Sequence, residues 1–204
     1  GLVPLEALLT ETEPFVALGL APLQHVQVGG CDLNPGNLAE SAHATLAGVE
    51  SFPVATIDAL RPDFERIAIT RGVLRGGGPA IDALAGDQRG AGAAGTAREM
   101  LARLVADIRA FAKGEPTVVV NLTSTEPTPA PPLFEWDAAA LRRALDDDDP
   151  RIQASTLYAL AAIEAGCPHA NFTPSSGASL PAVVEIAREK GVPLAGRDGK
   201  TGET

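Results

Sequence analysis

The chain has 204 residues, 45% of them hydrophobic and 21% charged, which suits a globular protein able to bury a core without disulfide or metal staples. Its net charge of −10 argues against nucleic acid or an anionic membrane as a main partner, because both need a basic footprint. No apolar run approaches the roughly 20 residues of a membrane span, and residues 1–15 lack the basic start and apolar core of a signal peptide.

In chain order, His25 to Gly29 predicts a strand that runs into Gly30, Cys31 and Asp32. Asn34 and Pro35 open a predicted helix through Leu38, Ala42 and Leu46, with Asn34 as cap and Pro35 in the first turn. Glu65 to Thr70 reads as a second strand, and Gly72 to Gly95 is so rich in glycine and alanine that it reads as irregular. From Thr96 a helix places Met100, Leu101, Leu104, Ile108 and Phe111 on one face, and Gly114 ends it. Thr117 to Leu122 is the clearest strand, its β-branched run predicting burial on both faces as in parallel sheets.

After a loop with prolines from Pro127 to Pro132, helices are expected over Asp137–Leu145 and Pro150–Ala165. A short strand follows over Asn171–Thr173, then a helix over Gly177–Lys190 and a strand over Val192–Ala195. Strand and helix alternate throughout, which predicts an α/β chain with a doubly wound parallel sheet. In such a sheet ligands sit beyond the carboxyl ends of the strands. The segments that matter most are therefore Gly29–Asp32, Asn121–Thr125, Thr173–Ser176 and Gly196–Thr204, all polar or glycine-rich.

Several motifs dissolve on inspection. Gly90 to Gly95 matches G-x-G-x-x-G, but the residues before it have no strand character, and such a loop works only when a strand delivers the helix N-terminus to a pyrophosphate. The Gly199-Lys200-Thr201 run lacks a phosphate-loop glycine, since Leu194 stands where it would be. Asp146 to Asp149 reads as an acidic helix start, with Asp149 as cap before Pro150, in preference to a metal site. His25, His43 and His169 form no triad or metal pairing, and Ser175-Ser176 lacks a hydrolase elbow.

Cys31 and Cys167 are far apart, without zinc spacing, and read as buried small hydrophobes of a cytoplasmic protein. Asp32 is placed at a strand end, where an acid can hydrogen-bond a nucleotide ribose, or else serves as a loop acid or cap. Lys200 shares the lysine inventory with only Lys113 and Lys190; in its glycine loop it can serve solubility, or place a point charge on a phosphate or a developing oxyanion.

Three stretches together resemble the inositol-3-phosphate synthase family. They are Val118 to Pro127 (VVVNLTSTEP), Tyr158 to Ser175 (YALAAIEAGCPHANFTPS) and Val192 to Thr204 (VPLAGRDGKTGET), with Val28 to Asp32 as a looser fourth. The last stretch is similar to the family signature Gly-Asp-Asp-x-Lys-Ser/Thr-Gly-Gln-Thr. Arg197 replaces the first acid, which suits a phosphate better than a cation, and Glu203 replaces the glutamine.

The resemblance implies a Rossmann-like NAD-binding domain over residues 1–195 and the start of a second α/β catalytic and oligomer-forming domain at 196–204. It implies cyclisation of glucose 6-phosphate with NAD as cofactor, a cation requirement that the sequence does not fix, and a cytoplasmic homotetramer. By matching position, Lys200 stabilises an oxyanion and Asp198 orients Lys200 or accepts a substrate hydroxyl. Asn121, Thr123 and Ser124 line the nicotinamide side, Asp32 the ribose, and Thr173 and Ser175 the substrate or its phosphate. Residue 1 is glycine and the only methionine is Met100. The resemblance places the family's phosphate loop before Gly1 and its other catalytic lysines after Thr204. A sugar-phosphate dehydrogenase and a nucleotide-binding module without catalysis are the alternative expectations.

Overall fold

The computed structural model describes residues 18–19, 22, 25–33, 38–46, 54–67, 69–86 and 92–198. Within them lie five short strands, all paired in parallel, in two groups. β1 (Gly30–Asp32) pairs β2 (Ile69–Arg71), with Cys31 opposite Thr70. β3 (Val119–Asn121), β4 (His169–Asn171) and β5 (Leu194–Ala195) form a three-stranded sheet with β4 in the middle. The helices are α1 (Leu38–Leu46), α2 (Val54–Phe64), α3 (Gly78–Ala85), α4 (Ala97–Ala112), α5 (Ala138–Asp146), α6 (Ala154–Ala165) and α7 (Pro181–Lys190). None of these is long and apolar enough to cross a membrane.

α6 is the centre of the packing. Leu157, Ala159, Leu160, Ala161, Ala162 and Ile163 are all buried, so its apolar residues surround it instead of forming a stripe. α4 packs on α6 through Met100, Leu101, Leu104 and Ile108, as the 3.6-residue period predicts. Phe111 departs from that face: it is half exposed, and its ring lies over Gly29, where a Cβ would meet Phe111 Cε2 at 2.6 Å.

α4 starts at a capping box. The Thr96 hydroxyl accepts from Glu99 N at 3.2 Å, and Glu99 Oε2 accepts from Thr96 N at 2.8 Å. The next amide, Ala97 N, donates to Asp148 Oδ1 at 2.7 Å. Those bonds engage the amides of Thr96, Ala97 and Glu99 at the start of the helix following the Gly90–Gly95 run; Gly90 and Ala91 themselves lie outside the described residues. Thr96→Ala should lower unfolding free energy by about 1 kcal/mol with an unchanged denaturant slope, measured by urea titration.

Strand boundaries are shorter than the sequence predicts, because a strand exists only where a partner lies beside it. Val26 to Gly29 carry no regular structure, and Glu65 to Ile67 form the turn leaving α2. Residues 34–37, which carry the expected α1 cap, lie outside the described residues. α2 and α3 were not legible as helices. β3 is not buried on both faces: Val118, Val120 and Leu122 stand 59%, 48% and 75% exposed, while Asn121 turns inward toward the side on which α6 packs. A continuous β-branched run cannot by itself reveal which face will be covered.

α6 also begins later than Pro150. Arg75 donates to the carbonyls of Asp148, Asp149 and Ile152 at 3.0, 2.9 and 2.9 Å, which fixes that segment as a turn. Asp149 caps no helix; its carboxylate accepts from the Arg151 backbone and guanidinium, which hold it below the usual carboxylate range. Asp146 pairs with Arg98 and Asp148 with Arg75, so the acidic run is tied into the packing of α4, α5 and the approach to α6.

Candidate cofactor site

The carboxyl ends of β1 and β3 open on one cavity of about 310 Å³. Cys31 and Asp32 come from the end of β1, Thr123, Ser124 and Glu126 from the loop after β3, and Tyr158 from α6. The side chains of Asp32, Thr123 and Ser124 are exposed toward it. Tyr158 closes the floor. Its hydroxyl accepts from Val73 N at 3.1 Å, and burial pushes its acidity well away from neutral pH. Cys31 lies 3.1 Å from the Thr70 hydroxyl, and burial raises its thiol above the ordinary value.

Behind the loop stands a buried polar network. Asn121, Asn171, Thr173 and Ser175 are 4%, 2%, 4% and 2% exposed. Asn121 Nδ2 donates to Asn171 Oδ1 at 3.1 Å, the Thr173 hydroxyl donates to the same oxygen at 2.9 Å, and Asn171 Nδ2 donates to the Ser175 carbonyl at 2.9 Å. Asn121 Oδ1 in turn accepts from Thr123 N at 3.2 Å. Buried polar groups must be partnered, and here they partner one another, locking the loops after β3 and β4 together.

Two of the loop's ties converge on Glu126. Its backbone N donates to the Ser175 hydroxyl at 3.0 Å. Its carboxylate accepts from Ser155 N at 2.9 Å and from the Ser155 hydroxyl in a short bond, at the first turn of α6. Burial raises the Glu126 pKa, and the Ser155 bonds oppose the rise. Pro127 O then accepts from Gln153 Nε2 at 2.6 Å.

Of the residues singled out from the sequence, Asp32, Thr123 and Ser124 therefore share the cavity. Asn121 stands behind it, and Thr173 and Ser175 are enclosed in the network. The turn after β5 comes close to the same network, for a Cβ on Gly196 would lie 2.6 Å from Asn171 O, and Gly196 takes a φ of 75° that favours glycine. Two residues on, Asp198 has a φ of 72°, and its Oδ1 is buried without a hydrogen-bond partner among the described residues. Lys200 lies outside the described residues. Arg75, Glu126 and Tyr158 are polar cavity residues that sequence reasoning missed, although Glu126 and Tyr158 fall inside the stretches that carried the resemblance.

The NAD-binding family model described as myo-inositol-1-phosphate synthase matches residues 11–201. The chain belongs to that family. An inositol-3-phosphate synthase of Bacteroides thetaiotaomicron is 35% identical over 115 residues, covering 54% of this chain and 27% of the relative. A probable inositol 3-phosphate synthase isozyme of Arabidopsis thaliana is 26% identical over 185 residues, covering 89% of this chain and 35% of the relative. The crystal structure of inositol-3-phosphate synthase from Caenorhabditis elegans superposes with a TM-score of 0.75 at 24% identity, over 91% of this chain and 36% of that one, and bears out the Rossmann-like α/β fold. The chain thus spans about a third or less of the length of these relatives.

NAD is the cofactor of the family domain. The donor set fits part of such a dinucleotide. An acid at the end of β1 suits ribose hydroxyls, and the exposed hydroxyls of Thr123 and Ser124 suit the polar edge of a bound ring.

Proposed function

We propose that the chain is the nucleotide-binding part of an enzyme that cyclises glucose 6-phosphate to inositol 3-phosphate. The observation that carries this reading is the cavity at the carboxyl ends of β1 and β3, lined by Asp32, Thr123 and Ser124 in a chain of the synthase family. NAD held by Asp32, Thr123 and Ser124 would supply a hydride acceptor and donor at this site, with no net redox change over the reaction.

The chain's own residues bind and orient. Asp32 accepts from ribose hydroxyls, Thr123 and Ser124 hold the nicotinamide side, and the network of Asn121, Asn171 and Thr173 keeps their loop from moving. Enolisation and aldol closure between C6 and C1 of the sugar develop negative charge on oxygen. Lys200 supplies the opposing charge, where a fixed donor in a water-poor site contributes about 3 kcal/mol. Asp198 orients Lys200 or accepts a substrate hydroxyl. Thr173 and Ser175 act on the substrate side by setting the loop after β4.

The test incubates the full-length protein from the same reading frame with glucose 6-phosphate and catalytic NAD, following periodate-resistant phosphate and absorbance at 340 nm together. Inositol phosphate without accumulating NADH is expected. NADH rising in step with substrate loss would make it a dehydrogenase, and NAD binding without either signal would leave a binding module.

A further inference from the structure

We propose that Glu126 is the positioning residue of the cofactor loop, holding Thr123 and Ser124 at the cavity by capping α6 from outside that helix. The proposal rests on the NAD reading of the cavity and goes beyond it, since Glu126 acts through its neighbours.

α6 has no cap of its own. Gln153 stands at the N-cap position, yet its side chain makes no capping bond and instead reaches the carbonyls of Gly76 and Pro127. The first turn of a helix leaves backbone donors unsatisfied, and a carboxylate there also meets the positive end of the helix dipole. Glu126 fills that place from 29 residues away, taking both the amide and the hydroxyl of Ser155. A local cap would have satisfied the helix equally well. The distant one has an additional consequence, because it anchors the loop between β3 and the Pro127 bond to the most buried of the described helices.

The loop is held at both ends. Thr123 N is fixed by Asn121 Oδ1 at its start, and Glu126 is fixed at its finish by Ser175 through its backbone and by Ser155 through its carboxylate. Thr123 and Ser124 lie between these anchors with exposed side chains facing the cavity. Releasing the second anchor frees the residues that must be ordered before a ligand can use them, and that ordering cost appears as lost affinity.

The experiment is calorimetric titration with NAD of the full-length protein from the same reading frame as wild type, Glu126→Ala, Glu126→Gln, Ser155→Ala and the Glu126→Ala/Ser155→Ala pair, at a temperature where each is folded by circular dichroism. Ile186→Val, on α7 away from the cavity, serves as a control for mild destabilisation. Glu126→Ala is expected to weaken NAD about tenfold. Glu126→Gln should stay within about threefold of wild type, because its amide oxygen can accept from Ser155 N while its amide nitrogen donates to the Ser155 hydroxyl. The double variant should lose little more than the worse single one, the mark of two groups acting as one unit. Ile186→Val should lower the melting temperature and leave NAD affinity unchanged.

Glu126→Ala binding NAD as wild type does would overturn the proposal and leave the cavity reading intact. Glu126→Gln as weak as Glu126→Ala would also overturn it, because the negative charge would then be acting on the ligand directly. A full-length wild-type protein that binds no NAD would overturn both the cavity reading and the proposal that rests on it.

Discussion

Gly177→Ala should destabilise the protein by about 3 kcal/mol, the upper end of what overpacking a core ordinarily costs, and should weaken NAD binding along with stability. Gly177 opens the one-turn 3₁₀ segment Gly177–Ser179, which lies directly on the start of α6. A Cβ at this position would stand 2.5 Å from the Ser155 carbonyl carbon, the Ser155 Oγ and the Thr156 amide nitrogen. Two of those atoms are backbone of a helix whose residues here are almost completely buried, so they cannot swing aside as a surface side chain would.

Relief requires the turn and the helix start to separate. Ser155 is the residue that receives Glu126, so the separation is transmitted to the cofactor loop. Urea unfolding at pH 7 measures the first effect, and NAD titration of the folded fraction measures the second. Wild-type stability in Gly177→Ala would show slack between turn and helix, and lost stability with unchanged affinity would show that the displacement stops short of Ser155.

The same contrast between local and distant causes explains what the sequence could and could not disclose. α4 was legible because its signals are local: Thr96 and Glu99 are three residues apart, and its apolar face repeats within one helix. α5 was legible for a similar reason, with Asp137 accepting from Ala140 N at the start. The strand-end segments Gly29–Asp32 and Asn121–Thr125 were marked because a parallel sheet places its ligands there, a rule that needs only the order of elements, while the resemblance singled out Thr123 and Ser124 within the second.

What escaped depends on partners far along the chain. Arg75, whose bonds decide where α6 starts, lies 77 residues before Ile152, and Glu126 reaches Ser155 across 29. Nothing in the local pattern marks either as an anchor. Thr173 and Ser175 look in sequence like hydroxyls offered to a ligand, and only the fold shows that Asn171 and Glu126 already hold them. The open face of β3 belongs with these cases, for burial is a property of what arrives beside a strand.

His169 gives the second large effect, one that depends on pH. It sits on the central strand β4, between Val119 and Leu194 in register, with its side chain 1% exposed and neither ring nitrogen hydrogen-bonded among the described residues. Burial disfavours the charged imidazolium and lowers the pKa from 6.5 to about 4. Above pH 6.5 the ring is neutral in both folded and unfolded chains, and its ionisation contributes nothing to the balance. Below pH 6.5 the unfolded chain takes up a proton that the folded chain refuses, so stability falls as acid is added. The loss levels off near pH 4, where the folded ring is protonated as well, and amounts to on the order of 3 kcal/mol.

His169→Leu, of similar volume and without a titrating group, should be at least as stable as wild type at pH 7, because a buried polar group without a partner is removed. Its advantage should then grow by on the order of 2–3 kcal/mol by pH 4.5, read from urea midpoints of the two proteins at each pH. Midpoints that fall in parallel would show that His169 finds water or a partner once protonated. Because the folded ring stays neutral down to about pH 4, this ionisation should leave the NAD affinity of folded wild type and folded His169→Leu alike through the window, so the effect shows in stability alone.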